Sequence, residues 1–116
     1  MRLLREHQPS EAGARYASVL EEHPTFCLPA DQQLDVASAL FAEGRYPEAA
    51  QAYENYLERH RHDRRVTETA LLLLVLYVRK MPSPDKARDL LERFGERFES
   101  DDHHDLVEAL RSEVPA

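Results

Sequence analysis

The sequence has few of the residues on which several kinds of protein chemistry depend. Its single cysteine, Cys27, excludes an intrachain disulfide framework and a zinc site of the CxxC kind. Its three glycines form no phosphate-binding or dinucleotide-binding pattern. The longest apolar run, residues 70–78, is far shorter than the 18 or so residues that a membrane-spanning helix needs. We therefore expect no cofactor site of these kinds and no direct membrane insertion by this chain.

Basic charge is also scarce, and the formal net charge is −7. Sequence-independent binding to nucleic acid needs a basic surface against the phosphates, so we expect no nucleic-acid partner. Hydrophobic residues make up 42% of the chain, which is enough for a packed core. The compartment stays open between the cytoplasm and the soluble side of an envelope protein.

Apolar residues recur at spacings of three and four through most of the chain, which predicts an all-α fold. No segment combines strict alternation with β-branched residues, as a strand would. We expect five long helices and a C-terminal capping helix, over about residues 10–22, 30–43, 47–60, 66–80, 84–98 and 100–113. Residues 66–80 are apolar nearly all round, which is typical of a helix that is covered on most sides.

A proline followed within a few residues by an alanine recurs three times, at Ala12, Ala49 and Ala87. The alanines are 37 and 38 residues apart, and a fixed period of about 20–50 residues indicates a repeat array. We expect each alanine to be buried where the second helix of a pair approaches the first, with larger apolar residues filling the groove beyond it.

The segment from Ala30 to Asp63 resembles the tetratricopeptide repeat (TPR) family. The positions that carry the resemblance are Val36, Ala37, Leu40, Gly44, Tyr46, Ala49, Tyr53 and Tyr56. Two positions depart from it, since Gln33 stands at the tryptophan site and Arg61 at the closing proline. The long period is similar to that of the longer repeats in bacterial envelope-assembly proteins.

The resemblance implies a right-handed α-solenoid of antiparallel helix pairs. It divides one domain into a half repeat, 1–24, two repeats, 30–63 and 68–99, and the capping helix, 100–113. We expect this domain to be part of a larger protein. The family also implies a non-catalytic scaffold for protein–protein interaction, with a protein or peptide as partner, although fold alone does not fix function.

In the family the first helix of each pair lines a concave groove, which would bind a partner helix or peptide. By that pattern the groove residues are Leu34, Ser38, Phe41, Leu72, Leu76, Arg79 and Lys80, with Ala42 and Thr69 beside them. The alternative for Leu72 and Leu76 is simple coverage by the terminal helix.

A basic cluster, Arg59, Arg61, Arg64 and Arg65, predicts either a solvated turn or a site for an acidic partner. A matching acidic cluster follows near the C-terminus, at Glu96, Glu99, Asp101, Asp102 and Asp105. Head-to-tail contact between two copies would join them, so a homo-oligomer is one alternative function. A soluble extramembrane domain of a larger membrane protein is another.

Histidines form two short clusters, His60 with His62 and His103 with His104. They could hold a metal only with Asp63, Asp101, Asp102 or Asp105, so the main interpretation is a set of solvated turn residues. The grouping of Ser, His and Asp at residues 100–105 lies within six consecutive residues and is not the arrangement of a catalytic triad. We expect no catalytic residues and no cofactor.

Overall fold

This computed structural model describes residues 9–99 and 104–114, and within those ranges the chain is all-helical, as predicted. The helices are α1 (Pro9–Glu22), α2 (Ala30–Ala42), α3 (Tyr46–Arg59), α4 (Val66–Val75), α5 (Pro84–Glu99) and α6 (His104–Glu113). A π-helical segment, Leu76–Lys80, continues α4. Six helices and no strand occur in the described part of the chain.

The chain divides into two compact units, residues 1–61 and residues 62–116, called unit 1 and unit 2 below. In unit 1, α2 packs against both α1 and α3. In unit 2, α5 packs against α4 and against the π-helical segment, and α6 packs against α4 and α5.

The close contact between α1 and α2 is made by Gly13, so the prediction that Ala12 is buried is wrong. Ala12 is exposed, whereas Tyr16, Ala17 and Leu20 are buried. Those three residues share one helix face with Gly13, because positions i, i+3, i+4 and i+7 of a helix lie in one stripe. A Cβ atom at Gly13 would lie 3.2 Å from Cδ2 of Leu40, so the two helices are close enough here to favour glycine.

The turn between α2 and α3 has the form that the sequence predicts. Gly44 has a φ of 78°, which glycine adopts without strain, and it follows the last turn of α2. The backbone N–H of Gly44 donates to the carbonyl of Phe41 and that of Arg45 to the carbonyl of Leu40. These two bonds are the ones that satisfy the last free carbonyls of a helix in a Schellman motif. The chain then enters α3, where Ala49 is fully buried.

The expected regular helix over residues 66–80 is α-helical only as far as Val75. From Leu76 the backbone is π-helical, and the N–H of Met81 donates to the carbonyl of Leu76, five residues earlier. The Ser83 hydroxyl, just before α5, donates to the carbonyl of Met81 at 3.1 Å. Ala87 of α5 is fully buried, as predicted.

The C-terminal helix α6 covers the other helices of unit 2 with a narrow apolar face. Val107 and Leu110 are buried, and Leu106 is partly exposed. Near its end, Glu113 accepts two hydrogen bonds from Arg79, at 2.8 and 3.3 Å. These bonds tie the end of α6 to the π-helical segment. The expected helix start at residues 100–102 lies outside the described residues.

Candidate functional site

An open cavity of about 240 Å³ lies in unit 1, between α1, the connection that follows it and α2. Its lining residues are Ala12, Arg15, Tyr16 and Val19 of α1, Phe26 and Leu28 of the connection, and Val36 of α2. We call it the α1 pocket. Only one of these side chains, Arg15, is charged, and the rest of the wall is almost entirely apolar. A concave, apolar site with few polar groups is the usual form of a ligand or side-chain pocket.

The outer wall of the α1 pocket is Phe26, whose side chain is 40% exposed. Its ring lies 6.0 Å from the ring of Tyr16, in a tilted arrangement that aromatic pairs favour. The Tyr16 hydroxyl donates to the backbone carbonyl of Phe26 at 2.5 Å, and this bond fixes the backbone that carries the ring. The same tyrosine therefore shapes the pocket with its ring and fixes the pocket wall with its hydroxyl.

A hydrogen-bond network of buried polar side chains supports this wall, and we call it the polar clamp: Tyr16, Gln33 and Asn55. The Tyr16 hydroxyl accepts from Gln33 Nε2 at 2.9 Å and from Asn55 Nδ2 at 3.0 Å. Burial raises the pKa of the Tyr16 hydroxyl, and the two hydrogen bonds oppose that shift. The phenol is therefore protonated at neutral pH and can donate to the Phe26 carbonyl.

Gln33 and Asn55 bind the connection at three further points. Gln33 Oε1 accepts the backbone N–H of Leu28 at 2.9 Å, and its Nε2 also donates to the carbonyl of Ala52. Asn55 Nδ2 lies 2.8 Å from the carbonyl of Pro24 and 3.1 Å from that of Phe26, and it shares its two hydrogens among these carbonyls and the Tyr16 hydroxyl. Irregular backbone that lies against a core needs such partners, since an unpaired buried polar group is costly.

Sequence reasoning missed the polar clamp, although a signal was present. Gln33 is fully buried, and it precedes Val36, Ala37 and Leu40 at the spacing of one helix face. Asn55 is buried as well and lies three residues after the buried Ala52, again at the spacing of one helix face. For Gln33 and Asn55 the signal in the sequence was therefore a polar residue within an apolar helix face. Gln33 supplies directed hydrogen bonds from this position in the core.

Cys27 lies between Phe26 and Leu28, which line the α1 pocket, and its surroundings do not favour a nucleophilic thiolate. Its Sγ donates weakly to the carbonyl of Leu28 at 3.4 Å. Burial raises the pKa of the Cys27 thiol, although the positive charge of Arg59 opposes this shift. The reactive form of a cysteine is the thiolate, so this residue is held in its less reactive form.

Three of the predicted groove residues lie on α2 of unit 1. Leu34 is half-buried, and the half-buried Phe41 packs its ring edge-on against Tyr46, with ring centroids 5.5 Å apart. Ser38 is exposed and lies 3.4 Å from the hydroxyl of Tyr53. All three side chains reach the surface of unit 1 in part, so the prediction that they contact a partner stays open.

The other four predicted groove residues lie in unit 2, and one of them, Leu76, needs correction. Leu76 is fully buried, because α5 packs on the π-helical segment as well as on α4, so Leu76 belongs to the core and not to a partner surface. Thr69, predicted beside the groove, is buried too. Arg79 is engaged by Glu113. Leu72 is 47% exposed and Lys80 is exposed, as a surface role requires.

The predicted basic cluster is divided between the two units. Arg59 and Arg61 belong to unit 1, where Arg61 pairs with Glu58 at 3.6 Å. Arg64 and Arg65 belong to unit 2, where the Arg65 guanidinium binds both carboxylate oxygens of Asp63, at 3.0 and 3.1 Å. Arg65 thus closes the turn before α4.

Two histidines of the predicted clusters, His60 and His104, have polar contacts in the structure. His60 Nε2 lies 2.9 Å from the carbonyl of Leu28 and so donates to it, which adds a further bond to the connection beside the α1 pocket. His104 lies 3.1 Å from the neighbouring Asp105. His103, Ser100, Asp101 and Asp102 lie outside the described residues. Among residues 9–99 and 104–114, no three His, Cys, Asp or Glu side chains are grouped closely enough to hold a metal ion.

Comparison with protein-family models, with curated proteins and with solved structures finds no match for the chain. No helix in the described ranges combines the length and the hydropathy that crossing a membrane requires.

Proposed function

We propose that the chain is a non-catalytic protein-interaction module that holds one large apolar side chain of a partner segment in the α1 pocket. The observation that carries this proposal is the pocket itself, an apolar cavity whose aromatic wall, Phe26, is partly exposed and yet held in place by the polar clamp. A wall that is fixed before binding loses little conformational freedom when the partner arrives, and this favours affinity.

The size of the α1 pocket suits a side chain better than a larger ligand. Its volume is about 240 Å³. An enclosed apolar cavity of roughly 150 Å³ takes up a benzene molecule, whereas sites for drug-sized ligands begin at about 300 Å³. A leucine, phenylalanine or tryptophan side chain from a partner segment fits between these limits.

The architecture that we propose for this module is a TPR-like, right-handed α-solenoid of antiparallel helix pairs, in which α6 is the capping helix. Three features support it. Ala49 and Ala87 are fully buried near the starts of α3 and α5. Gly44 occupies the turn position that the family reserves for glycine. The last helix presents a narrow apolar face, as a cap at the end of a repeat array does.

A displayed library of random peptides tests the proposed function without requiring that the natural partner be identified. Peptides selected on the full chain are synthesised with a fluorescent label, and their dissociation constants are measured by anisotropy. Val19 lines the pocket and is half-buried, so Val19→Glu places a charge in the apolar wall. We expect this variant to weaken binding at least tenfold. The control, Leu72→Glu, alters an exposed leucine of unit 2 and leaves binding unchanged.

The outcomes of this experiment are distinct. Circular dichroism shows first that both variants keep their helical content. Selection of no peptide, or of peptides that bind Val19→Glu as well as the original chain, shows that the α1 pocket is not an interaction site.

Self-association is a second candidate, and the exposed leucines of unit 2 favour it. Leu72 on α4 is 47% exposed and Leu106 on α6 is 36% exposed, and the two helices pack on each other. Sedimentation equilibrium at rising concentration checks this candidate. A dimer that Leu72→Glu converts to monomer supports it, and a monomer at all concentrations excludes it.

A further inference from the structure

Two arginines of unit 1 form no ion pair with an acidic side chain of residues 12–98. They are Arg15 on α1 and Arg59 at the end of α3. The other two described arginines of this unit are paired, Arg45 with Glu48 at 3.4 Å and Arg61 with Glu58 at 3.6 Å. Within residues 12–98, Arg15 and Arg59 thus differ from the two paired arginines.

Arg15 is one of the residues that line the α1 pocket. The positive charge of Arg59 opposes the burial that raises the pKa of the Cys27 thiol, and Cys27 lies between the lining residues Phe26 and Leu28. The connection that forms the pocket wall is therefore near positive charge on α1 and on α3.

We infer that the partner segment presents a carboxylate next to its apolar side chain, and that Arg15 binds this carboxylate while the apolar side chain enters the α1 pocket. This inference rests on the proposed function. Arg15 is the one charged group in an apolar lining, so a ligand that fills the pocket brings its neighbouring groups to the guanidinium. An arginine binds a carboxylate with two parallel hydrogen bonds, and nearby apolar surface strengthens the attraction by excluding water.

The occupant that we assign is an acidic segment of a separate protein. A neutral or basic segment would leave Arg15 without a partner at the edge of the bound side chain. Arg59 adds long-range attraction for the same charge, which speeds association and weakens as salt rises.

Charge exchange between the chain and a labelled peptide tests this inference. The probes are a selected peptide with Asp or Glu beside its apolar residue and two synthetic analogues, in which that acid is replaced by the amide or by Lys. We expect the amide analogue to bind about tenfold more weakly to the original chain, and Arg15→Gln to bind acid and amide equally. Arg15→Glu should prefer the Lys analogue. Arg45→Gln removes a paired arginine of the same unit and should leave every affinity unchanged.

The possible results separate the inference from the proposed function. If peptides anchor in the pocket, by the Val19→Glu criterion, but acid and amide analogues bind alike, the inference is wrong and the proposed function stands. If no peptide anchors there, both are wrong. If sedimentation shows a dimer that Arg15→Glu and Val19→Glu convert to monomer, the occupant is a second copy and the assigned partner is wrong.

Discussion

Unit 1 places directed hydrogen bonds in its core, whereas unit 2 relies almost wholly on apolar contact. The buried polar side chains are Gln33 and Asn55 in unit 1 and Thr69 in unit 2. Each bond of the polar clamp requires one orientation of donor and acceptor, so it selects one path for the connection between α1 and α2. The leucines of α4 have no such requirement. Unit 1 thus specifies the shape of a surface pocket, and unit 2 specifies little beyond burial.

The largest expected effect distinguishes these two cores by one buried substitution in each. Asn55→Leu leaves the carbonyl of Pro24 without its donor and the carbonyl of Phe26 with only the Tyr16 hydroxyl, and we expect it to reduce the free energy of unfolding by roughly 1–3 kcal/mol. Leu74→Met keeps a fully buried apolar side chain in unit 2 and should cost less than about 1.5 kcal/mol. Urea denaturation followed by circular dichroism measures both. Equal costs would contradict the contrast between the two cores.

A smaller effect is expected at two glycines, one in each unit. A Cβ atom at Gly95 of α5 meets no atom within 4 Å, so Gly95→Ala should stabilise the chain by about 0.5–1 kcal/mol through helix propensity. At Gly13 the same atom meets the buried Leu40 at 3.2 and 3.3 Å. There we expect a net loss of about 1 kcal/mol, because overpacking exceeds the gain in propensity. Thermal unfolding of the two variants gives the comparison, and stabilisation by Gly13→Ala would show that α1 and α2 can separate.

The pH dependence of stability should also differ between the units. Burial raises the pKa of Tyr16 and of Tyr53 in unit 1. Their contribution is complete below the unfolded tyrosine pKa of about 10 and is lost as pH rises through the folded values. In unit 2, Arg79 lowers the pKa of Glu113, so that contribution is present above the ordinary glutamate range and is lost in acid. Urea midpoints between pH 3 and pH 11 measure this dependence.

Two variants identify which residues cause the loss of stability at high and at low pH. Tyr53→Phe should reduce the alkaline loss, since it removes one of the two buried phenols. Glu113→Gln should reduce the acid loss attributed to this ion pair. Alkaline and acid limbs that neither variant changes would show that other groups cause the pH dependence.

The smallest expected effect is that of the ion pair at the end of unit 2. Arg79→Gln removes the contact with Glu113, but both side chains are exposed, and such pairs contribute little to stability and are screened by salt. We expect faster amide hydrogen exchange in α6 and no change at the polar clamp. The clearest contradiction would be a cooperative loss of both units, which would make the ion pair a central element of the fold.

Residue patterns predicted the scaffold better than the site. The all-α class, the positive φ of Gly44 and the burial of Ala49 and Ala87 follow from helix periodicity and turn chemistry, which are local. The small residue that is buried in α1 is Gly13 and not the predicted Ala12. Ala12 fits the spacing of the repeated alanines, whereas Gly13 lies on the buried face of the helix. The change to π-helix at Leu76 could not be predicted from the sequence. A helix that is apolar on all sides has no amphipathic pattern in which a change of periodicity would be visible.

The α1 pocket depends on contacts between residues far apart in sequence, and this is why it was not predicted. Tyr16 and Asn55 are 39 residues apart, and Asn55 and Pro24 are 31 apart. Gln33 is fully buried and joins these segments through its side-chain amide. Of the predicted groove residues, Leu34, Ser38, Phe41, Leu72 and Lys80 reach the surface of their own units at least in part.

The π-helical segment has a consequence for insertions and deletions. An α-helix has 3.6 residues per turn, and losing one residue rotates everything beyond it by about 100°, which usually ruins the packing. A π turn closes its hydrogen bonds over one more residue than an α turn. Deleting Val78, which is only half-buried, can therefore be absorbed by conversion of Leu76–Lys80 to α-helix, with α5 kept in register. Among the described helices of this chain, this is the place where a change in length costs least.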